Sequence, residues 1–157
     1  MPNGVIDLHK GERYHYIDVA LICALQNYIT FGVLYLILSY DIACKYWINF
    51  LSCVSQDPCP ITKPEELARI VILWLVPKFH LGGHQPECSD KHSFNFTQGV
   101  GRTHGEHVEP IWARHNHLKY TTQEMSPALH IKVITDSLQG HNWLKLTDIG
   151  ELNSIIE

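Results

Sequence analysis

Residues 33 to 39 read Val-Leu-Tyr-Leu-Ile-Leu-Ser, an unbroken apolar run of β-formers and leucines closed by Tyr40 and Asp41. A run without polar alternation suits a strand buried on both faces, inside a sheet covered by helices, and restricts the chain to an α/β architecture. Directly after it, Ile42, Tyr46, Phe50 and Val54 recur every four residues, which predicts a helix over 42–54. A strand that ends in Asp and feeds a helix sets the carboxylate at the carboxyl edge of the sheet, where side chains commonly line active sites. Asp41 is therefore well placed to hold a metal. Its alternative use is to cap the helix that it precedes.

The flanking segments supply helices for such a sheet. Val19, Ile22, Cys23 and Gln26 share a helical stripe, and Asp18 is expected to cap that helix through about Asn27 rather than to act chemically. Thr62 and Glu65 form a capping box for a helix over about 63–70, with Pro64 tolerated in its first turn. Val71 to Val76 reads as a second strand, the alternative being helix continued to Leu75. Residues 77–102 are expected to be irregular, with Phe94 and Phe96 pinning this long loop to the core. A second capping box, Thr103 with Glu106, predicts a helix toward His115 that turns Trp112 to the core. A weak helix near 128–138 and a short one at the end complete the reading.

Charge and cysteine usage narrow the function classes. The 157 residues carry a formal net charge of -4 with 11 His counted neutral, so no clustered Lys and Arg announce a nucleic-acid surface. A 45% hydrophobic content is ample for the core of one domain, and the chain reads as a single domain over 1–157. The five Cys form no C-x-x-C pair and read as reduced thiols of an intracellular protein. The longest apolar runs fall far short of the ~18 residues that span a bilayer. Neither a signal peptide nor a membrane partner is expected.

Between Val76 and Trp112 lies the densest collection of His, Cys, Gly and acidic residues. His80, His84 and Cys88 follow one another at intervals of four, with His92 four further on, a supply of imidazoles and thiolate compatible with Zn²⁺. The spacing matches no standard zinc finger; equally, His80 can be a satisfied partner beneath the loop and Cys88 a small buried hydrophobe. Cys44 or Cys88 paired with a His is a further, nucleophilic candidate, because a thiol at a helix entry is readily activated. His104, His107, His115 and His117 read as a solvated face.

The segments Pro77-Lys78-Phe79-His80-Leu81 with His84 and Cys88, Ser93-Phe94-Asn95-Phe96, and Gly99-Val100-Gly101-Arg102-Thr103-His104-Gly105-Glu106 before Trp112 resemble the C-terminal part of the catalytic region of the Kyakuja-Dileera-Zisupton (KDZ) transposases of fungal genomes. Met1 to Gly4, Lys10 to Tyr14, Ser39 to Cys44, Glu124-Met125 and Asn142 to Lys145 match in the same order. The resemblance implies an RNase H-like fold and DDE-type chemistry, in which carboxylates hold two Mg²⁺ or Mn²⁺ ions for DNA cleavage and strand transfer. Asp41 would be the second carboxylate and Glu106 the helical one, with Glu109 in competition on the same helix face.

Departures from the family pattern shape the functional expectation. The family's first catalytic Asp lies upstream of the segment matching Met1, and Asp7 and Asp18 sit in the wrong context to replace it. His104 stands where the family shows Asp, and Pro110 falls within the expected helix beside Glu109. The expectation is a fragment or decayed copy of a DDE transposase, inactive alone, nuclear, with DNA as partner and an oligomer allowed. No small-molecule substrate is expected. An incomplete sheet should also leave one face of the 33–39 strand exposed and the chain poorly soluble. The competing class is a non-enzymatic, zinc-stabilised module retained for association with chromatin or another protein.

Overall fold

A computed structural model describes residue 6 and residues 13–56, 64–101, 103–106 and 108–156. The chain divides into two units, Ile6–Val108 and Glu109–Glu157 with Met1–Val5.

The first unit opens with α1 (Tyr14–Thr30), which presents Asp18, Ile22 and Leu25 to the interior at intervals of four and three. The helix starts four residues ahead of Asp18, so this residue is no cap; its carboxylate is buried and receives the Tyr46 hydroxyl. The end of α1 is fixed by Gly32. At φ +70° it takes the left-handed turn of a Schellman motif, with Gly32 N–H donating to Ile29 O and Val33 N–H to Tyr28 O, both at 3.0 Å. The chain then enters β1 (Tyr35–Ser39), turns through Tyr40 to Ile42 into α2 (Ala43–Gln56), and passes α3 (Pro64–Leu67) to β2 (Val71–Leu75). Thr62 and the rest of the 57–63 connector lie outside the described residues.

β1 and β2 pair in parallel, with Tyr35 opposite Val71 and Ser39 opposite Leu75, so β1-α2-α3-β2 is a βαβ crossover. Period-two geometry divides the strands between faces. Leu36, Ile72 and Trp74 pack on a core of Ile22, Leu25, Tyr46, Phe50, Val54 and Leu67 from the helices. On the other face Leu73 and Leu75 are covered by Phe94 and Val100, at the carboxyl end only. Tyr35, Ile37 and Val71, at the amino end of that face, are exposed, Tyr35 by 74%. The strand expected to be buried on both faces is thus half-buried on one, at Leu36 and Leu38, and exposed at the amino end of the other, which Phe94 and Val100 do not reach.

Two short helices, α4 (Lys78–Leu81) and α5 (Pro86–Lys91), interrupt the expected irregular loop, and Val76 bridges to Ser93 beyond them. Phe94 is buried as expected, whereas Phe96 is exposed. The second unit contains α6 (Glu109–His115), α7 (Leu118–Thr122) and α8 (Pro127–Ile156). The expected helix start at Thr103 is displaced to Glu109, which puts Pro110 in a first turn where a missing N–H costs nothing. Trp112, expected in the core, is exposed. α8 runs 30 residues through Gly140, a position that costs a helix about 0.5–1 kcal/mol without breaking it.

The whole is a mixed fold, mostly helix, with a two-stranded parallel sheet. No larger RNase H-like sheet is present among the described residues. No described helix is long and apolar enough to cross a membrane.

Candidate metal centre

Parallel strands end side by side, so whatever follows β1 meets whatever follows β2. Tyr40 N–H donates to Leu75 O at 3.0 Å, and Val76 N–H to His92 O at 2.8 Å. These bonds bring the first turn of α2 against the segment that carries α4 and α5. Ala43, Cys44 and Val76 are buried together there, with Tyr40, Trp74, Leu81 and Cys88 packed around them.

In this corner Cys44 of α2, His84 of the α4–α5 turn and Cys88 of α5 converge. Cys44 Sγ lies 3.3 Å from His84 Nδ1, and the three potential ligand atoms are all within 4.8 Å of one another. Burial pushes the Cys44 thiol pKa up; a hydrogen bond with Cys88 and the charge of that second thiol add to the rise, while Lys45 opposes it. Two sulfurs and an imidazole form a soft donor set able to hold a metal such as Zn²⁺.

The membership differs from the His80, His84, Cys88 series read along the chain. His80 lies in α4 with its ring against Phe79 and is not a member of the trio. His92 is occupied otherwise, its Nδ1 lying 2.7 Å from Trp74 O. Cys44 takes the third place. The signal that could have found it is topological: two parallel strands followed by Cys44 and by the 76–88 segment must deliver both segments to one sheet edge. Cys23 and Cys53 are exposed free thiols on α1 and α2.

The carboxylates occupy the same edge. Asp41 Oδ1 accepts the N–H of the adjacent Ile42 at 3.0 Å, a local bond in the turn that leads into α2. Glu106 Oε1 accepts the Phe79 N–H in the first turn of α4, and Lys78 N–H donates to His104 O at 3.1 Å. Ser39, at the end of β1, donates from Oγ to Gly105 O at 2.7 Å, so the Glu106 segment is docked two residues from Asp41. The Thr103–Glu106 capping box is not formed, since Gly105 at φ +73° breaks any helix there and Glu106 serves α4 instead. Glu109 opens α6 in the second unit and is exposed. His104 is exposed, and His115 and His117 each direct Nδ1 to a backbone carbonyl, at 2.7 Å and 3.0 Å. Neither Asp41 nor Glu106 belongs to a group of three or more potential metal ligands among the described residues.

Compared with known proteins, residues 1–142 match the family model of the Kyakuja-Dileera-Zisupton transposase. No curated protein and no solved structure matches the chain.

Proposed function

This chain belongs to the Kyakuja-Dileera-Zisupton transposase family, and from that premise we propose that it is a transposase-derived DNA-processing domain, nuclear, and inactive on its own. The observation that carries the reading is the docking of the Glu106 segment on the strand that leads into Asp41, through the 2.7 Å bond from Ser39 Oγ to Gly105 O. Two carboxylates from separate stretches of sequence are thereby delivered to the carboxyl edge of one parallel strand pair, where such chemistry is usually built.

Asp41 and Glu106 are the proposed ligands. Among the described residues Asp41 gives one oxygen to a backbone N–H and Glu106 likewise, leaving each with a second oxygen for a hard cation. A bound Mg²⁺ or Mn²⁺ would supply Lewis-acid stabilisation of the oxygens entering and leaving phosphorus. Around that site the chain's own groups hold the carboxylates by backbone donors, while the position before Gly105 offers an imidazole, His104, in place of a hard oxygen. Two carboxylates make a weak site for Mg²⁺, which is the ground for inactivity.

The test is a titration of the purified chain with Mg²⁺ and Mn²⁺, alongside a plasmid-nicking assay, in the wild type and in an Asp41→Asn/Glu106→Gln double variant. Weak divalent binding that the double variant loses, with no nicking by either protein, is the expected result. Binding unchanged in the double variant would overturn the ligand assignment. Nicking that depends on the two carboxylates would overturn the inactivity.

A further inference from the structure

We propose that Cys44, His84 and Cys88 form a zinc site that fastens the first turn of α2 to the α4–α5 turn. The inference is independent of the carboxylate reading, since it uses other residues and a softer class of ion.

Geometry carries it. Around a tetrahedral Zn²⁺ with Zn–S near 2.3 Å and Zn–N near 2.0–2.1 Å, neighbouring ligand atoms stand about 3.5–3.8 Å apart. Cys44 Sγ and His84 Nδ1 are already 3.3 Å apart, and no pair in the trio exceeds 4.8 Å. Closing on an ion therefore asks for side-chain adjustments of about an ångström, with no movement of the elements. The three residues come from three elements whose positions are fixed by other means: Cys44 by the core of Ala43 and Val76, Cys88 by its packing on that core, and His84 by the turn after α4. A site assembled in advance loses little of the binding energy to ordering. No fourth His, Cys, Asp or Glu joins the group among the described residues, so the fourth position falls to water or an added ligand.

Zinc is held by thiolates, so each S–H bond exchanged for a Zn–S bond passes its proton to buffer. Its structural consequence reaches both carboxylate segments. Cys44 stands three residues beyond Asp41, and His84 follows α4, whose Phe79 N–H is held by Glu106. The ion would thus clamp the ground on which those carboxylates stand without touching either.

The experiment uses the full chain, reduced and stripped of metal, titrated with Co²⁺ as spectroscopic probe and then with Zn²⁺ as competitor. One equivalent of Co²⁺ is expected to produce the near-ultraviolet thiolate charge-transfer band and the strong visible bands of a tetrahedral site, both erased by one Zn²⁺. Cys44→Ser, Cys88→Ser and His84→Asn are each expected to weaken binding by more than about tenfold, the least cost of disturbing a metal's surroundings. His80→Asn, Cys23→Ser, Cys53→Ser and the Asp41→Asn/Glu106→Gln variant are expected to bind as the wild type does. The proposal is overturned if the wild type gives no thiolate band, if Cys44 and Cys88 form a disulfide that excludes metal under reducing conditions, or if binding survives in Cys44→Ser/Cys88→Ser. Loss on His80→Asn with retention in Cys44→Ser would also overturn it, by moving the site into the loop. Because these readouts are independent of the carboxylate variant, failure here leaves the DNA-processing reading standing, and the converse holds.

Discussion

The phenol of Tyr46 donates a hydrogen bond to Oδ1 of Asp18, joining α2 to α1 inside the larger core. Burial above all, then that bond and the carboxylate charge, push the phenol pKa far above its usual value. The ring itself sits in an aromatic nest, its centroid 5.3 Å from Tyr40, 5.5 Å from Trp74 and 5.7 Å from Phe50. Tyr46→Phe keeps that nest and removes the donor to a buried carboxylate, so a loss of about 1–3 kcal/mol is expected in urea unfolding. The pH dependence has a definite sign. The folded phenol holds its proton above the unfolded pKa of about 10, so its contribution is complete below that pH and declines as pH rises beyond it. The wild type should lose stability above that point more steeply than Tyr46→Phe; parallel slopes would refute the assignment.

Gly105 joins the Glu106 segment to the sheet, and its environment forbids a side chain. A Cβ there would stand 2.5 Å from Phe94 Cε2 and 2.6 Å from Ser39 Oγ, at a backbone φ of +73°. Gly105→Ala is expected to cost about 2–4 kcal/mol, the left-handed penalty plus overpacking against a buried ring. Gly101→Ala is the matched control, because its φ of +72° is nearly the same and nothing lies within 4 Å of its Cβ. That variant should lose only about 1–2 kcal/mol. Equal melting temperatures for the two variants would mean that the close approach to Phe94 and Ser39 contributes nothing.

What could be read in the sequence follows the range of the interactions concerned. The 33–39 run and the four-residue spacing from Ile42 to Val54 announced β1 and α2 to within two residues at each end, because both rest on local periodicity. Local capping logic misled where a distant partner took the residue. Asp18 is spent on Tyr46 and Glu106 on Phe79, across 28 and 27 residues respectively, and neither caps the helix expected of it. The trio shows the same division: His84 and Cys88 are neighbours in sequence, while Cys44 enters across 40 residues, by strand pairing alone. The helix expected near 128–138 runs on through Gly140, since a single glycine costs α8 less than its 30 residues of helix return.

His141 makes a pH-dependent prediction for the second unit. It is buried on α8 with neither ring nitrogen hydrogen-bonded among the described residues, and its ring stands edge-on to His115 at 5.5 Å. Desolvation first, then Arg114 and His115 from α6 and Lys145 on its own helix, lower its pKa from the usual value. The unfolded chain therefore binds the proton more readily than the folded one, and stability must fall as pH drops through about 6.5, the ordinary value. His141→Leu is expected to flatten that slope between pH 7 and 5, measured by thermal melts at matched ionic strength. A slope unchanged in the variant would assign the effect to another histidine.

The uncovered end of the sheet should govern solubility. Tyr35, Ile37 and Val71 share one face and are all exposed, and β1 has β2 as its single strand neighbour among the described residues, leaving its other edge unpaired. An apolar face beside an open edge is a template for pairing with a second chain. Ile37→Thr keeps a β-branched residue on that face, adds a hydroxyl to water, and should change stability by no more than about 0.5 kcal/mol, as surface substitutions usually do. The concentration at which the chain begins to scatter light is expected to rise severalfold. Leu36→Thr, one residue away, is the informative contrast: Leu36 packs on the helical core, and replacing it should cost about 2–3 kcal/mol while leaving the exposed face intact. If Ile37→Thr proves as destabilising as Leu36→Thr, the face is covered in solution and the aggregation argument fails. If it is stable yet no more soluble, association runs through some surface other than this end of the sheet.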